Sequence, residues 1–335
     1  PFLAIAREKS PVCRIEDLDL WIVTRYEDIK TILHDPQTFS NANAQQPLYP
    51  LCEEAIKVLS GGDFNPQASL SGSDDPVHKR LRKHYSQIVS FTPSRTEKLK
   101  PWIRARITEL IDSFAEDGYA DIVDQLTVPL PAKVIFYLIG FPDEDAEMLL
   151  DWCEARLHLT GGRLSEEEQI AVARNMVKYW NYCKTFVHAR KKNSRDDYAS
   201  ELLGIHLKEP EALSIDEIIT LIFALVFAGQ ETTNHFMGSM LRLLLERRER
   251  WEACLEDRTL IPAAVEECLR LEPPIAAWRR ITTRDTVIAD VQLPKGSQLL
   301  LHLGSSGHDS DKFANGEEFQ LPRLNAAEHL SLGHG

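Results

Sequence analysis

The chain has 335 residues, 43% of them hydrophobic and 27% charged, an ordinary globular composition with material for one large domain or two. A net charge of -13 argues against a general nucleic-acid binder, because phosphate contacts need a basic footprint. The six cysteines, Cys13, Cys52, Cys153, Cys183, Cys254 and Cys268, are widely spaced. That spacing speaks against a zinc site or a disulfide framework and for a reducing, cytoplasmic compartment.

The longest apolar run, residues 218–229, is too short for a membrane span. No signal peptide is evident, although the chain starts at Pro1 and a preceding segment stays open. "PVCRIEDLDLWIVTR" predicts two short strands around an acidic turn, and "YEDIKTILHDPQTFS" a short helix ending near Pro36. Residues 41–75 form a long loop rich in Asn, Gln, Pro, Gly and Ser, with at most one short helix. From Val77 to about Arg270 the apolar spacing is helical. After Pro273-Pro274, "RRITTRDTVIADVQLPKGSQLLLHL" returns to strands, with Pro294-Lys295-Gly296 as a turn. The predicted fold is mainly α, a large helical body with a small antiparallel sheet built from both ends of the chain.

Ser214 and Glu217 predict a capping box and a helix start at Ile215. Apolar periodicity carries that helix to about Leu245, roughly 30 residues and about 45 Å. Before Gly229 it is apolar nearly all round, as a buried helix is. Glu231 and Thr232 then interrupt it, with Thr232 on the face of Ala228 and Leu225. Such a pair either faces water where the helix leaves the core or handles protons beside a bound group. The Thr232 hydroxyl can also bond the carbonyl four residues back. Small Ala228 and Gly229 suggest open space beside the helix.

Ala228-Gly229-Gln230-Glu231-Thr232-Thr233 resembles the central-helix signature of the cytochromes P-450, the haem-thiolate monooxygenases. "EECLRLEPP" carries the family's E-x-x-R as Glu267 and Arg270, neighbours on a helix, and "FQLPRLN" supplies Arg323 as the third member. "SDDPVHKRLRKHYSQIVSFTP" resembles the segment that holds the haem propionates. His78 and Arg82 sit there four apart on one face, and both can donate to carboxylates. A basic surface helix is the plainer reading of that run. "AWRRITTRD" resembles the segment that completes the propionate site and selects Arg280 over Arg279, which strand alternation sends to the opposite face. "LNAAEHLSLGHG" resembles the start of the haem loop, F-G-x-G-x-H-x-C, with Leu332 for Phe. Its cysteine would follow Gly335 by four residues. "SSGHDSDKF" departs from the family's A-N-R-D-P and leaves that segment without an assigned role.

The resemblance, to the soluble bacterial type, implies one cytochrome P-450 domain over residues 1–335. It would be incomplete at the C-terminus, where the ligand cysteine is expected beyond Gly335, and at the N-terminus. These residues alone would then lack a metal ligand and be inactive. The implied cofactor is haem b (heme b, iron protoporphyrin IX) and the reaction is insertion of one atom of O2 into a mainly hydrophobic small molecule. Glu231 and Thr232 are the implied catalytic pair, and His78, Arg82, Ala228 and Arg280 the cofactor contacts. Ala224, Phe227 and Ala276 are expected pocket walls, residues 60–72 a lid, and Glu267, Arg270 and Arg323 a structural core. A ferredoxin-type or fused reductase would donate electrons, with Lys79–Lys83 either docking it or forming a solvated face. A peroxide-driven member of the family is disfavoured by Glu231-Thr232. A haem- or ligand-binding sensor on the same scaffold, or an inactive fragment, is the alternative.

Overall fold

The computed structural model describes residues 2–89, 93–153 and 156–333. Residues 90–92 and His334–Gly335, parts of two segments compared above, lie outside the described residues. The chain divides into two compact units, Pro1–Ala44 with His235–Gly335, and Gln45–Asn234.

The first unit holds the strands. They are β1 (Val12–Ile15), β2 (Leu20–Val23), β3 (Phe39–Ser40), β4 (Trp278–Thr282), β5 (Thr286–Ile288), β6 (Val291–Leu293) and β7 (Gln298–Leu301). The sheet order is β1-β2-β7-β4-β3, with β5-β6 as a separate hairpin. β1 and β2 close over the predicted acidic turn, where Asp19 adopts φ 46, a left-handed conformation that Asp tolerates. The hairpin turns at Ala289 and Asp290, both at positive φ, as a two-residue hairpin loop requires.

The two ends of the chain share one sheet, as expected, and three of its four pairings are antiparallel. The fourth, β2 with β7 in the register Leu20↔Gln298, is parallel, so the sheet is mixed. No hairpin constrains these two strands, since most of the chain lies between them, and a long crossover permits parallel pairing. Alternation buries Leu299 and Leu301 against Val23, Ile29 and Ile32 of the flanking β2 and the helix Tyr26–His34.

The second unit is helical. Helix Glu166–Lys192 starts at a capping box formed by Ser165 and Glu168. Its Tyr179 stacks on Phe223 at 5.0 Å between ring centres and meets Phe227 edge-on at 5.6 Å. Phe223 and Phe227 belong to the helix Ile215–Leu245, which is 31 residues long. Its predicted cap is present: Glu217 N donates to Ser214 Oγ at 3.2 Å and Ser214 N to Glu217 Oε2 at 2.9 Å. The unit boundary falls within this helix, after Asn234. Among the described residues, no helix is long and apolar enough to cross a membrane.

Candidate functional site

On the long helix, Ala224, Ala228 and Thr232 recur every fourth residue and so follow one stripe. Ala228 is exposed, although Val226 and Phe227 beside it are buried. Thr232 Oγ1 donates to the Ala228 carbonyl at 2.7 Å, the back-bond its position allowed. Glu231 is buried at 6% exposure. A turn away from Gln230, Asn234 Oδ1 accepts from Thr127 Oγ1 at 2.8 Å. The expected open space holds for Ala228 and not for Gly229. A Cβ on Gly229 would fall 2.9 Å from both Cδ1 and Cγ1 of Ile135, on the helix Pro129–Ile139. That glycine serves close helix packing.

Of the expected pocket walls, Ala224 lines a cavity of about 300 Å³ together with Phe223, Met176 and loop residues 45–69. Phe227 does not line this cavity; its ring is buried among Tyr179 and Phe223. Ala276 belongs to the other unit, where it is exposed and its carbonyl accepts from Gly304 N at 3.1 Å. The expected lid contributes Phe64, Gln67 and Ser69 to the cavity wall.

His78 and Arg82 share the helix Val77–Val89. His78 Nδ1 stands 3.9 Å from Asp75 Oδ1, and Arg82 is exposed. Two cations of the same run have intramolecular partners: Lys79 pairs with Asp75 at 2.7 Å, and Arg80 with Glu217 and the Ala212 carbonyl. Arg80 therefore ties this helix to the start of the long helix. No signal in the sequence announces that role, because no local spacing links residues 137 positions apart.

In the other unit, Arg280 lies on β4. Arg279 is buried and Arg280 half-buried, the alternation the strand imposes. Burial pushes the Arg279 guanidinium below the usual arginine range. Asn43 Nδ2 donates to the Arg280 carbonyl at 3.0 Å, fixing the strand beside it.

Glu267, Arg270 and Arg323 meet in one fully satisfied cluster. Arg270 makes two 2.7 Å bonds to Glu267, and Arg323 Nε reaches both Glu267 oxygens at 3.0 Å. The excess positive charge is dispersed over carbonyls, Gly316 and Glu318 for Arg270 and Ala314 for Arg323. The divergent segment packs onto this cluster. A Cβ on Gly307 would fall 1.9 Å from the Arg270 carbonyl oxygen, so only glycine fits there. Asp309 Oδ2 accepts from Tyr26 N at 2.8 Å and caps the helix Tyr26–His34. Nearby, His329 Nε2 meets Glu266 Oε2 at 3.1 Å and Ser331 Oγ donates to the Leu269 carbonyl at 2.6 Å. These two bonds anchor the segment leading to Gly333 on the Glu267 helix. Burial pushes the thiols of Cys183 and Cys268 up, the latter to about 12, opposite to what a thiolate ligand needs.

Residues 169–332 match the family described as Cytochrome P450. Cyclomarin C epoxidase CymV of Salinispora arenicola is 32% identical over 98% of this chain and 80% of its own length. Erythromycin C-12 hydroxylase of Saccharopolyspora erythraea is 31% identical over 100% and 80%. Among solved structures, cytochrome P450 CREJ in complex with (4-ethylphenyl) dihydrogen phosphate superposes with a TM-score of 0.96. It is 37% identical, over 100% of this chain and 83% of that one.

Proposed function

The chain belongs to the cytochrome P450 family of haem-dependent monooxygenases acting on hydrophobic small molecules, and from that premise we propose which of its residues do the work. When bound, the haem supplies reductive activation of dioxygen and insertion of one oxygen atom into the substrate.

The stripe Ala224–Ala228–Thr232 suits the distal face of that group. A flat macrocycle needs a wall without protruding side chains, and Ala228 presents only a methyl group at an otherwise buried part of the helix. His78 and Arg82 in one unit, and Arg280 in the other, each offer N–H donors suited to a propionate carboxylate. Thr232 directs protons: its hydroxyl donates to the Ala228 carbonyl, which leaves its oxygen lone pairs as acceptors on the stripe. Glu231 precedes it by one position, about 100° round the helix, and its buried carboxylate relays protons from solvent. Ala224 and the apolar cavity walls hold the substrate. Glu267, Arg270 and Arg323 keep the framework of their own unit rigid.

Electrons come from a ferredoxin-type protein or a fused reductase. Lys79, Arg82 and Lys83 are exposed on the basic run, which suits the docking of an acidic donor. The sensor alternative has no support in the relatives' names, an epoxidase and a hydroxylase.

The observation that carries the assignment is the exposed Ala228 one turn before the back-bonded Thr232. Its test is Ala228→Phe. The ring would project from the stripe where the macrocycle lies. Helical circular dichroism should be retained while haem uptake, followed by absorbance, falls well below one per chain. Stoichiometric uptake by a folded Ala228→Phe protein would contradict the assignment.

A further inference from the structure

The cavity in the unit formed by 45–234 is graded from apolar to polar. Phe223, Met176 and Leu159 on its wall are buried. Gln45, Gln67 and Ser69 on its wall are half-buried or exposed. No described residue lining it carries an ionisable side chain.

The polar end is held in place. Gln67 N donates to Thr220 Oγ1 at 2.9 Å, and that hydroxyl donates to the Asp216 carbonyl at 2.9 Å. Leu48 N donates to the Thr160 carbonyl at 2.8 Å. The loop is therefore tied to the long helix at one point and to Thr160 at another. The Gln45 amide bonds the Ser71 hydroxyl, and Ser69 Oγ reaches Gln45 Oε1 at a long 3.4 Å. A 3.4 Å contact is weak and readily exchanged for a ligand oxygen.

We infer that this cavity takes a neutral amphiphile, an apolar chain or ring system ended by one uncharged hydrogen-bonding head, such as a hydroxyl, carbonyl or amide, seated at Gln45 and Ser69. An ionised head finds no opposite charge on the described wall, whereas a neutral one can replace the weak Gln45–Ser69 contact with its own hydrogen bonds. The assignment rests on the monooxygenase reading, which sets the reacting carbon beside Ala228. Thr220, tied to the polar end, and Ala228 stand eight residues apart on one helix, roughly 12 Å at 1.5 Å per residue. The oxidised carbon is therefore at the end of the molecule remote from the head. The phosphate monoester held by CREJ has the opposite head-group chemistry.

The test is calorimetric titration of the haem-loaded full chain with decan-1-ol, decane, decanoate and decyl phosphate. Decan-1-ol should bind more tightly than either anion. Gln45→Leu with Ser69→Ala should weaken decan-1-ol about fivefold to tenfold, the worth of one neutral hydrogen bond, and leave decane essentially unchanged. Product analysis should place the new oxygen on the carbons farthest from the hydroxyl. Tighter binding of decanoate or decyl phosphate would overturn the inference. So would equal weakening of decan-1-ol and decane, or oxidation next to the hydroxyl. The ranking of probes on the unsubstituted protein decides the head-group class even if the double variant does not fold. Tight, head-dependent binding of decan-1-ol with no oxygenation at all would instead count against the monooxygenase reading alone.

Discussion

Gly229→Ala should change sign with its surroundings. In the native background the new Cβ would meet Ile135 Cδ1 and Cγ1 at 2.9 Å. Ile135 is β-branched and buried at 7% exposure, so it cannot swing aside without leaving its rotamer. Overpacking of this kind costs about 1–3 kcal/mol. Replacing glycine by alanine inside a helix recovers about 1 kcal/mol. The net is a destabilisation of about 0–2 kcal/mol. Ile135→Ala alone should cost about 2–5 kcal/mol, and it removes both clashing atoms. In that background Gly229→Ala should stabilise by about 1 kcal/mol or more, since the methyl group also fills part of the cavity. The four proteins form a double-mutant cycle read by urea midpoints at constant slope, with a coupling of about 1–3 kcal/mol. Coupling near zero would refute the close-packing role of Gly229.

Glu267→Gln should destabilise the protein by about 3–5 kcal/mol, because it leaves two buried guanidinium groups without their shared anion; a loss under about 1 kcal/mol would show that the carbonyls suffice. Thr232→Ala should keep reductant consumption while more of it appears as peroxide and less as product, and unchanged coupling would assign proton delivery to another group. Burial lowers the pKa of His302 and His329, and the Nδ1 of each accepts a backbone N–H, from Ser305 and Ser331. The unfolded chain then binds protons the folded one refuses, so stability is present above the ordinary histidine value of about 6.5 and is lost as pH falls below it. Thermal midpoints across that range should fall with acid, and His302→Asn, whose amide oxygen can still accept, should flatten the slope.

Elements set by local chemistry were legible in the sequence. The Ser214–Glu217 box fixed the start of the long helix, and the Pro-Lys-Gly turn separates β6 from β7. Glu267 and Arg270 are three apart on a helix, so their pairing followed from spacing, whereas Arg323 came only from resemblance. What stayed hidden depends on residues far apart in the chain. Glycine permissiveness reads the same whether a neighbour is absent or pressed close, so Gly229 suggested space where Ile135 stands. The parallel β2–β7 pair has no turn to announce it. The cavity's polar end comes from Gln45, Gln67 and Ser69 in a loop with no periodicity. A helical pattern does not say which buried residue meets an aromatic cluster, as Phe227 does with Tyr179 and Phe223.

The complete enzyme, carrying haem and the cysteine expected to ligate it, should insert one atom of dioxygen into an apolar molecule. That reaction is tested most directly by supplying isotopically labelled dioxygen, a reduced ferredoxin, and both decane and decan-1-ol, and weighing the products. Each product molecule should carry one labelled oxygen atom, with the other recovered in water. Product whose new oxygen carries no label would contradict the monooxygenase reading.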